Sequence, residues 1–172
     1  LQLVLEYIEA VLRPDTKAAG CRPAGMVAQI NSLAEESERA GKFLPFEYLF
    51  EVFSCNPFER HVIWLLAAFE MTPKVMDRAR EIHGPWGIDY VTPFMACETF
   101  PGENRPEQGE WIFARDSCLN MLLAKQDQTA GASLCRLELK QRIKAFLLHD
   151  AIRYEAQEAF IEPAEWPEES CL

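Results

Sequence analysis

PFEYLFEVFSCNPFERHVIWLLAAFEM, residues 45–71, is the stretch that decides the fold. Its first half sets Phe46, Leu49, Phe50 and Phe53 at helical spacing, which predicts a short helix with one strong apolar face. The pattern breaks at Ser54 and Cys55, and Asn56-Pro57-Phe58-Glu59 restarts it. Asn56 is a good N-cap, Pro57 supplies a fixed φ at the first helical position, and Glu59 is placed to reach back and close a capping box. From Val62 to Phe69 every residue is apolar, so this second helix is predicted to be central, with neighbours on several sides and Trp64 in the core. The run is far too short to cross a bilayer, which takes about 20 residues.

The same start signal recurs downstream. Thr72-Pro73 is predicted to open a helix over Lys74 to His83, and Thr92-Pro93 another from Phe94 to about Phe100. Upstream, Leu1, Leu5, Ile8, Val11 and Leu12 predict a helix within residues 1–13, stopped by Pro14. A second one fits Ala24 to Ala40, with Met26, Val27, Ile30, Leu33 and Ala34 as its apolar stripe and Gly41 as its C-cap. Between them lies the polar loop PDTKAAGCRP.

Toward the other end, HGPWG (83–87) predicts a tight turn and PGENRPEQGE (101–110) a polar loop. Cys118, Leu119, Leu122 and Leu123 predict a further helix, and residues 126–133 a turn. LCRLEL (134–139) alternates apolar and polar like a short half-buried strand, and Ile143, Phe146 and Leu147 restore helical spacing through His149. Residues 151–172 hold six acids against the single Arg153, which accounts for half of the chain's net charge. Pro163 and Pro167 break any long helix there, so this end reads as an acidic extension or linker.

The expected fold is therefore mainly α: a helical bundle with a winged-helix-like C-terminal part and at most one or two short β-strands. The division expected is an N-terminal helical hairpin over 1–44, a helical, winged-helix-like core over 45–150, and the acidic extension over 151–172. No internal repeat is visible. Because the chain begins without Met and ends after an acidic run, it has the look of a fragment of a longer protein.

Composition narrows the function classes. A chain of 172 residues, 49% hydrophobic, is large enough for one sizeable core. A net charge of −10 and a pI near 4.8 argue against a surface that neutralises many phosphates. A nucleic-acid partner is not expected, nor is a membrane. The six cysteines (Cys21, Cys55, Cys97, Cys118, Cys135 and Cys171) form no CxxC pair and are widely spaced. They read as reduced and mostly buried, with Cys171 exposed near the end, which points to a cytoplasmic chain. The first helix carries Glu6 and Glu9 and no cleavage site, unlike a secretory signal.

Chemistry is scarce. Neither GxxxxGK[ST] nor GxGxxG occurs, so the chain offers no familiar phosphate cradle. His61, His83 and His149 fall on three different predicted helices, which argues against a zinc site. The trio Glu59, Arg60 and His61, or the pair Cys97-Glu98, lacks the nucleophile, base and orienting group that catalysis needs. Glu59 and Arg60 read as helix-start charges in solvated contacts, and His61 as a core or boundary histidine. Asp77, Arg78, Arg80 and Glu81 read as a solvated face with i,i+3 or i,i+4 pairs. No catalytic, cofactor-binding or metal-binding residue is assigned. Trp86, Trp111 and Trp166 sit in or beside predicted loops and are candidate partner anchors, since aromatic residues dominate interface hot spots, against the blander alternative of packing beneath those loops. A DNA-reading winged helix would need Arg, Lys, Asn or Gln facing out from a recognition helix, and 94–100 and 119–125 are largely apolar or acidic.

The stretch Leu49-Phe50, Ser54 to Pro57, Phe58-Glu59-Arg60, Val62 to Phe69 and Glu70 resembles the N-terminal region of bacterial AAA-type ATPases, including those associated with contractile injection systems. Val91-Thr92-Pro93, and Leu137-Glu138-Leu139 leading into Ile143 and Phe146-Leu147-Leu148, are similar to later features of that family. The resemblance covers roughly residues 45–150. It implies a non-catalytic, winged-helix-like domain that recognises a protein partner or substrate and couples it to a downstream ATPase module. ATP and Mg would be bound by that module, and no position here inherits its nucleotide-binding residues. The alternatives are a winged-helix DNA-binding transcriptional regulator and a small standalone helical enzyme.

Overall fold

The start signal at Asn56 is realised atom for atom. In the computed structural model, which describes residues 1–13, 24–83, 90–100, 117–126 and 135–148, the Asn56 side chain accepts the Glu59 N–H at 3.0 Å. The Glu59 carboxylate accepts the Asn56 N–H at 2.8 Å in return. Eight helices and two strands are described: α1 (Gln2–Val11), α2 (Ala24–Arg39), α3 (Pro45–Val52), α4 (Pro57–Met71), α5 (Pro73–His83), α6 (Pro93–Thr99), α7 (Leu119–Leu122), β1 (Leu123–Gln126), β2 (Arg136–Leu139) and α8 (Gln141–Leu148). The three helices expected to open at a proline do so, at Pro57, Pro73 and Pro93, and α3 opens at a fourth, Pro45; Thr92 Oγ1 caps α6 by accepting the Met95 N–H at 3.1 Å.

Two helices end in the same six-residue device. Past α2, the Lys42 N–H bonds the Ser37 carbonyl at 2.9 Å and the Gly41 N–H the Glu38 carbonyl at 2.8 Å, with Gly41 at φ +70°. Past α3, the Cys55 N–H bonds the Phe50 carbonyl at 2.9 Å and the Ser54 N–H the Glu51 carbonyl at 3.1 Å. Here the left-handed position is held by Ser54 at φ +49°, where a Cβ is unfavourable.

The central helix is α4. Val62 to Ala68 are all buried, so the helix has no solvent face over two turns, and it packs against α1, α5, β2 and α8. Burial of side chains such as Ile63, Leu65 and Leu66 stabilises the fold by about 1.5–3 kcal/mol each. Val4, Tyr7, Ile8 and Leu12 of the first segment belong to the same buried cluster. The buried face of α1 is therefore rotated from the expected one, with Leu1 exposed and Tyr7 inside, where its ring meets those of His61 and Trp64. On α2, Met26, Val27, Ile30 and Ala34 are at least partly buried, but Leu33 is exposed. Helix α1 is the neighbour that α2 packs on, and it leaves that position uncovered.

Residues 119–125 are not one helix. After a single turn the chain extends at Leu123 and pairs antiparallel with β2, Leu123 opposite Leu139 and Gln126 opposite Arg136. Leu122 and Leu123 are both buried, which extended backbone at this junction allows because consecutive side chains point to opposite faces. On the far side of β2, the Leu137 N–H bonds the Val91 carbonyl at 2.8 Å. A one-residue bridge ahead of α6 thus makes a third rung, in the order β1, β2, Val91. Burial alternates along Cys135 to Leu139 as the sequence predicts. No helix among the described residues is long and apolar enough to cross a membrane.

Candidate partner-binding groove

The polar side chains expected to be solvated at the start of α4 are instead its most constrained feature. Glu59 is only 5% exposed. Besides its cap to Asn56, its carboxylate accepts the Ser117 hydroxyl at 2.8 Å and the Cys118 N–H at 3.1 Å. One side chain therefore caps α4 and fastens the strand lead-in to it, across 58 residues of sequence. Beside it, the Cys55 and Cys118 sulfurs lie 3.0 Å apart, both buried. The hydrogen bond between the two sulfurs, together with burial, pushes the Cys118 thiol up, and the same hydrogen bond lowers the Cys55 thiol. The four described cysteines, Cys55, Cys97, Cys118 and Cys135, are buried, as expected, and none of them is in a disulfide.

The trio Glu59, Arg60 and His61 does not converge. His61 stacks on Phe100 with ring centroids 5.0 Å apart and meets Trp64 edge-on, which makes it an aromatic packing residue. Arg60 turns the other way. Its Nε donates to the Cys55 carbonyl at 3.2 Å, its guanidinium lies 5.2 Å from the centre of the Phe50 ring, and its Nη1 is 3.8 Å from the Glu47 carboxylate. Cys97 is buried and Glu98 half-buried on α6. On α5 the expected solvated pairs form, Arg80 with Asp77 at 3.0 Å and Arg78 with Glu81 at 2.6 Å. Among the described residues no group of three or more His, Cys, Asp or Glu side chains is placed to hold a metal ion. Trp86, Trp111 and Trp166 lie outside the described residues, as do His149, the loops 14–23 and 101–110, and the acidic extension.

The face that the sequence did not single out is a groove of about 580 Å³ between α2 and α3. Glu35 and Glu38 approach it from α2, Glu47 and Glu51 from α3, against Lys42 and Arg60. Glu35 is paired with Arg39 at 3.1 Å and Glu47 with Arg60 at 3.8 Å, so Glu38 and Glu51 against Lys42 leave the groove mildly acidic. Glu47 is pushed above its ordinary value of 4.5 by burial, which the Arg60 guanidinium opposes and the Glu38 carboxylate reinforces. At the edge of the groove stand Phe43 and Tyr48, 45% and 51% exposed, with ring centroids 5.4 Å apart. Phe146 of α8 closes a triangle with them, 6.1 Å from Phe43 and 6.0 Å from Tyr48. A legible signal did exist: once Phe46, Leu49, Phe50 and Phe53 take the packing face of α3, Tyr48 and Val52 are left outside, and both are exposed. An acidic cleft beside exposed ring faces is suited to Lys and Arg side chains, which gain from both the field and cation–π contact.

Compared with family models, with curated proteins and with solved structures, the chain matches none.

Proposed function

We propose that this chain is a non-catalytic recognition domain that precedes a AAA-type ATPase module in a cytoplasmic protein. It receives a Lys- or Arg-bearing segment of a protein partner in the α2–α3 groove and transmits that event to the motor. The observation that carries the recognition role is the groove itself: four carboxylates and the exposed Phe43–Tyr48 pair on one face of the bundle. Support for the winged-helix part comes from the order of elements, a bridge at Val91, helix α6, then α7 running into a hairpin whose second strand pairs with that bridge. The resemblance in residues 45–150 supplies the ATPase context. Nucleotide chemistry in this reading belongs to the downstream module and takes no residue of this chain. An acidic groove also disfavours phosphate backbones, which sets the DNA-binding alternative behind the protein-binding one.

The test uses the full gene product. A variant carrying Glu38→Gln, Glu51→Gln and Tyr48→Ala is expected to keep basal ATP hydrolysis and to lose partner recruitment, with affinity for a Lys-rich peptide falling at least tenfold. Absence of an ATPase module from the gene product, or unchanged peptide binding in the variant, overturns the proposal.

A further inference from the structure

Cys55 and Cys118 are held face to face by backbone that is fixed on both sides. Cys55 closes the six-residue turn after α3 through its N–H, and its carbonyl accepts from Arg60 Nε at 3.2 Å. The Cys118 N–H is held by Glu59 at 3.1 Å, and its carbonyl accepts the Met121 N–H at 2.9 Å. The sulfur separation of 3.0 Å lies inside the roughly 3.5–4.0 Å at which heavy atoms ordinarily pack. A disulfide bond needs about 2.05 Å, so bond formation asks for about 1 Å of approach, within reach of small side-chain rotations.

We propose that Cys55 and Cys118 are a dithiol–disulfide couple, a modification site at which a peroxide or a small-molecule disulfide covalently clamps the start of α4 to the lead-in of the hairpin. With hydrogen peroxide, one thiolate attacks the O–O bond and becomes a sulfenic acid as hydroxide leaves. The second sulfur then displaces the sulfenic oxygen, forming the S–S bond. Two thiols and one peroxide yield one disulfide and two waters. With oxidised glutathione, two successive exchanges release two molecules of reduced glutathione, and the protein's two electrons pass to that disulfide. Cys55 and Cys118 are 5% and 3% exposed, so the oxidant reaches them through local opening of the turn after α3. The clamp acts on the same junction that Glu59 fastens, so oxidation would stiffen the coupling between the central helix and the hairpin whatever partner the groove receives.

Oxidising the folded chain with hydrogen peroxide or oxidised glutathione, then mapping peptides without reduction, tests the proposal. Expected is a loss of two hydrogens in intact mass, a Cys55–Cys118 cross-linked peptide as the main product, and a rise in Tm on the order of 10 °C that dithiothreitol reverses. In Cys118→Ala the cross-link and the Tm rise both vanish. Because the wild-type map alone identifies the pair, a variant that fails to fold leaves the test intact. Stable glutathione adducts or sulfinic acid at either residue, cross-links to other cysteines, or no reaction before unfolding would overturn it.

Discussion

The two ends of Arg60's reach divide this molecule into unlike polar regions. At the start of α4, polarity is buried and saturated: Glu59 gathers three donors, one from its own N-cap and two from the distant Ser117–Cys118 segment, and two thiols meet beside it. Across the α2–α3 groove, polarity is open and unbalanced, with carboxylates in excess and aromatic rings exposed. Buried polar groups that are satisfied fix one arrangement of the chain, because leaving any of them unmade is costly. Exposed excess charge contributes little to stability and is available to a partner. The first region is an internal fastening and the second an outward-facing surface.

That contrast breaks most easily at Glu59. Replacing Glu59 by Ala is expected to lower the unfolding free energy by about 3 kcal/mol, and by Gln about half as much, in urea denaturation. A loss below about 1 kcal/mol for the Ala variant would show that the fastening is dispensable. The opposite balance is expected in the groove. Phe43→Ala and Tyr48→Ala each change stability by less than about 1 kcal/mol but weaken binding of a Lys-rich peptide by about tenfold, as calorimetric titration would show.

The two matched helix ends offer a finer comparison. Ser54→Gly is expected to raise stability by about 0.5–1 kcal/mol, since glycine removes the left-handed penalty, whereas Gly41→Ala lowers it by about 1 kcal/mol. Equal effects of the same sign would contradict the geometry at φ +49° and +70°.

The smallest effect concerns Glu47. Its folded-state pKa is raised, so the native state holds this proton more tightly than the unfolded chain. The resulting stabilisation is fully present below the ordinary value of 4.5 and is lost as pH rises through the higher native value. Glu47→Gln should therefore flatten the stability profile in that window, and an unchanged profile would show that burial at Glu47 has no such consequence.

Much of the helical frame was legible because its signals are local. Pro57, Pro73 and Pro93 fix their own helix starts, Asn56 and Glu59 are three residues apart, and Gly41 ends α2 by itself. The mainly α class and the half-buried strand near Leu137 followed from spacing alone. What stayed hidden depends on distance along the chain. Glu59 looks like a solvated helix-start charge until Ser117 and Cys118 are brought beside it. Likewise Leu122 and Leu123 continue a helical pattern, and only pairing with Leu139 turns the second into a strand. The groove was invisible because its walls come from 31–38 and 43–51, each of which reads as an ordinary amphipathic surface. The tryptophans proposed as anchors drew notice for their residue type, whereas Tyr48 and Phe43 take their significance from position.

Hydrogen exchange on the chain, free and with a Lys-rich peptide bound, tests the division of labour most directly. New protection is expected only along residues 31–52, while the amides of Glu59 and Cys118 are already strongly protected and do not change. New protection at those two amides with none along the groove would contradict that division.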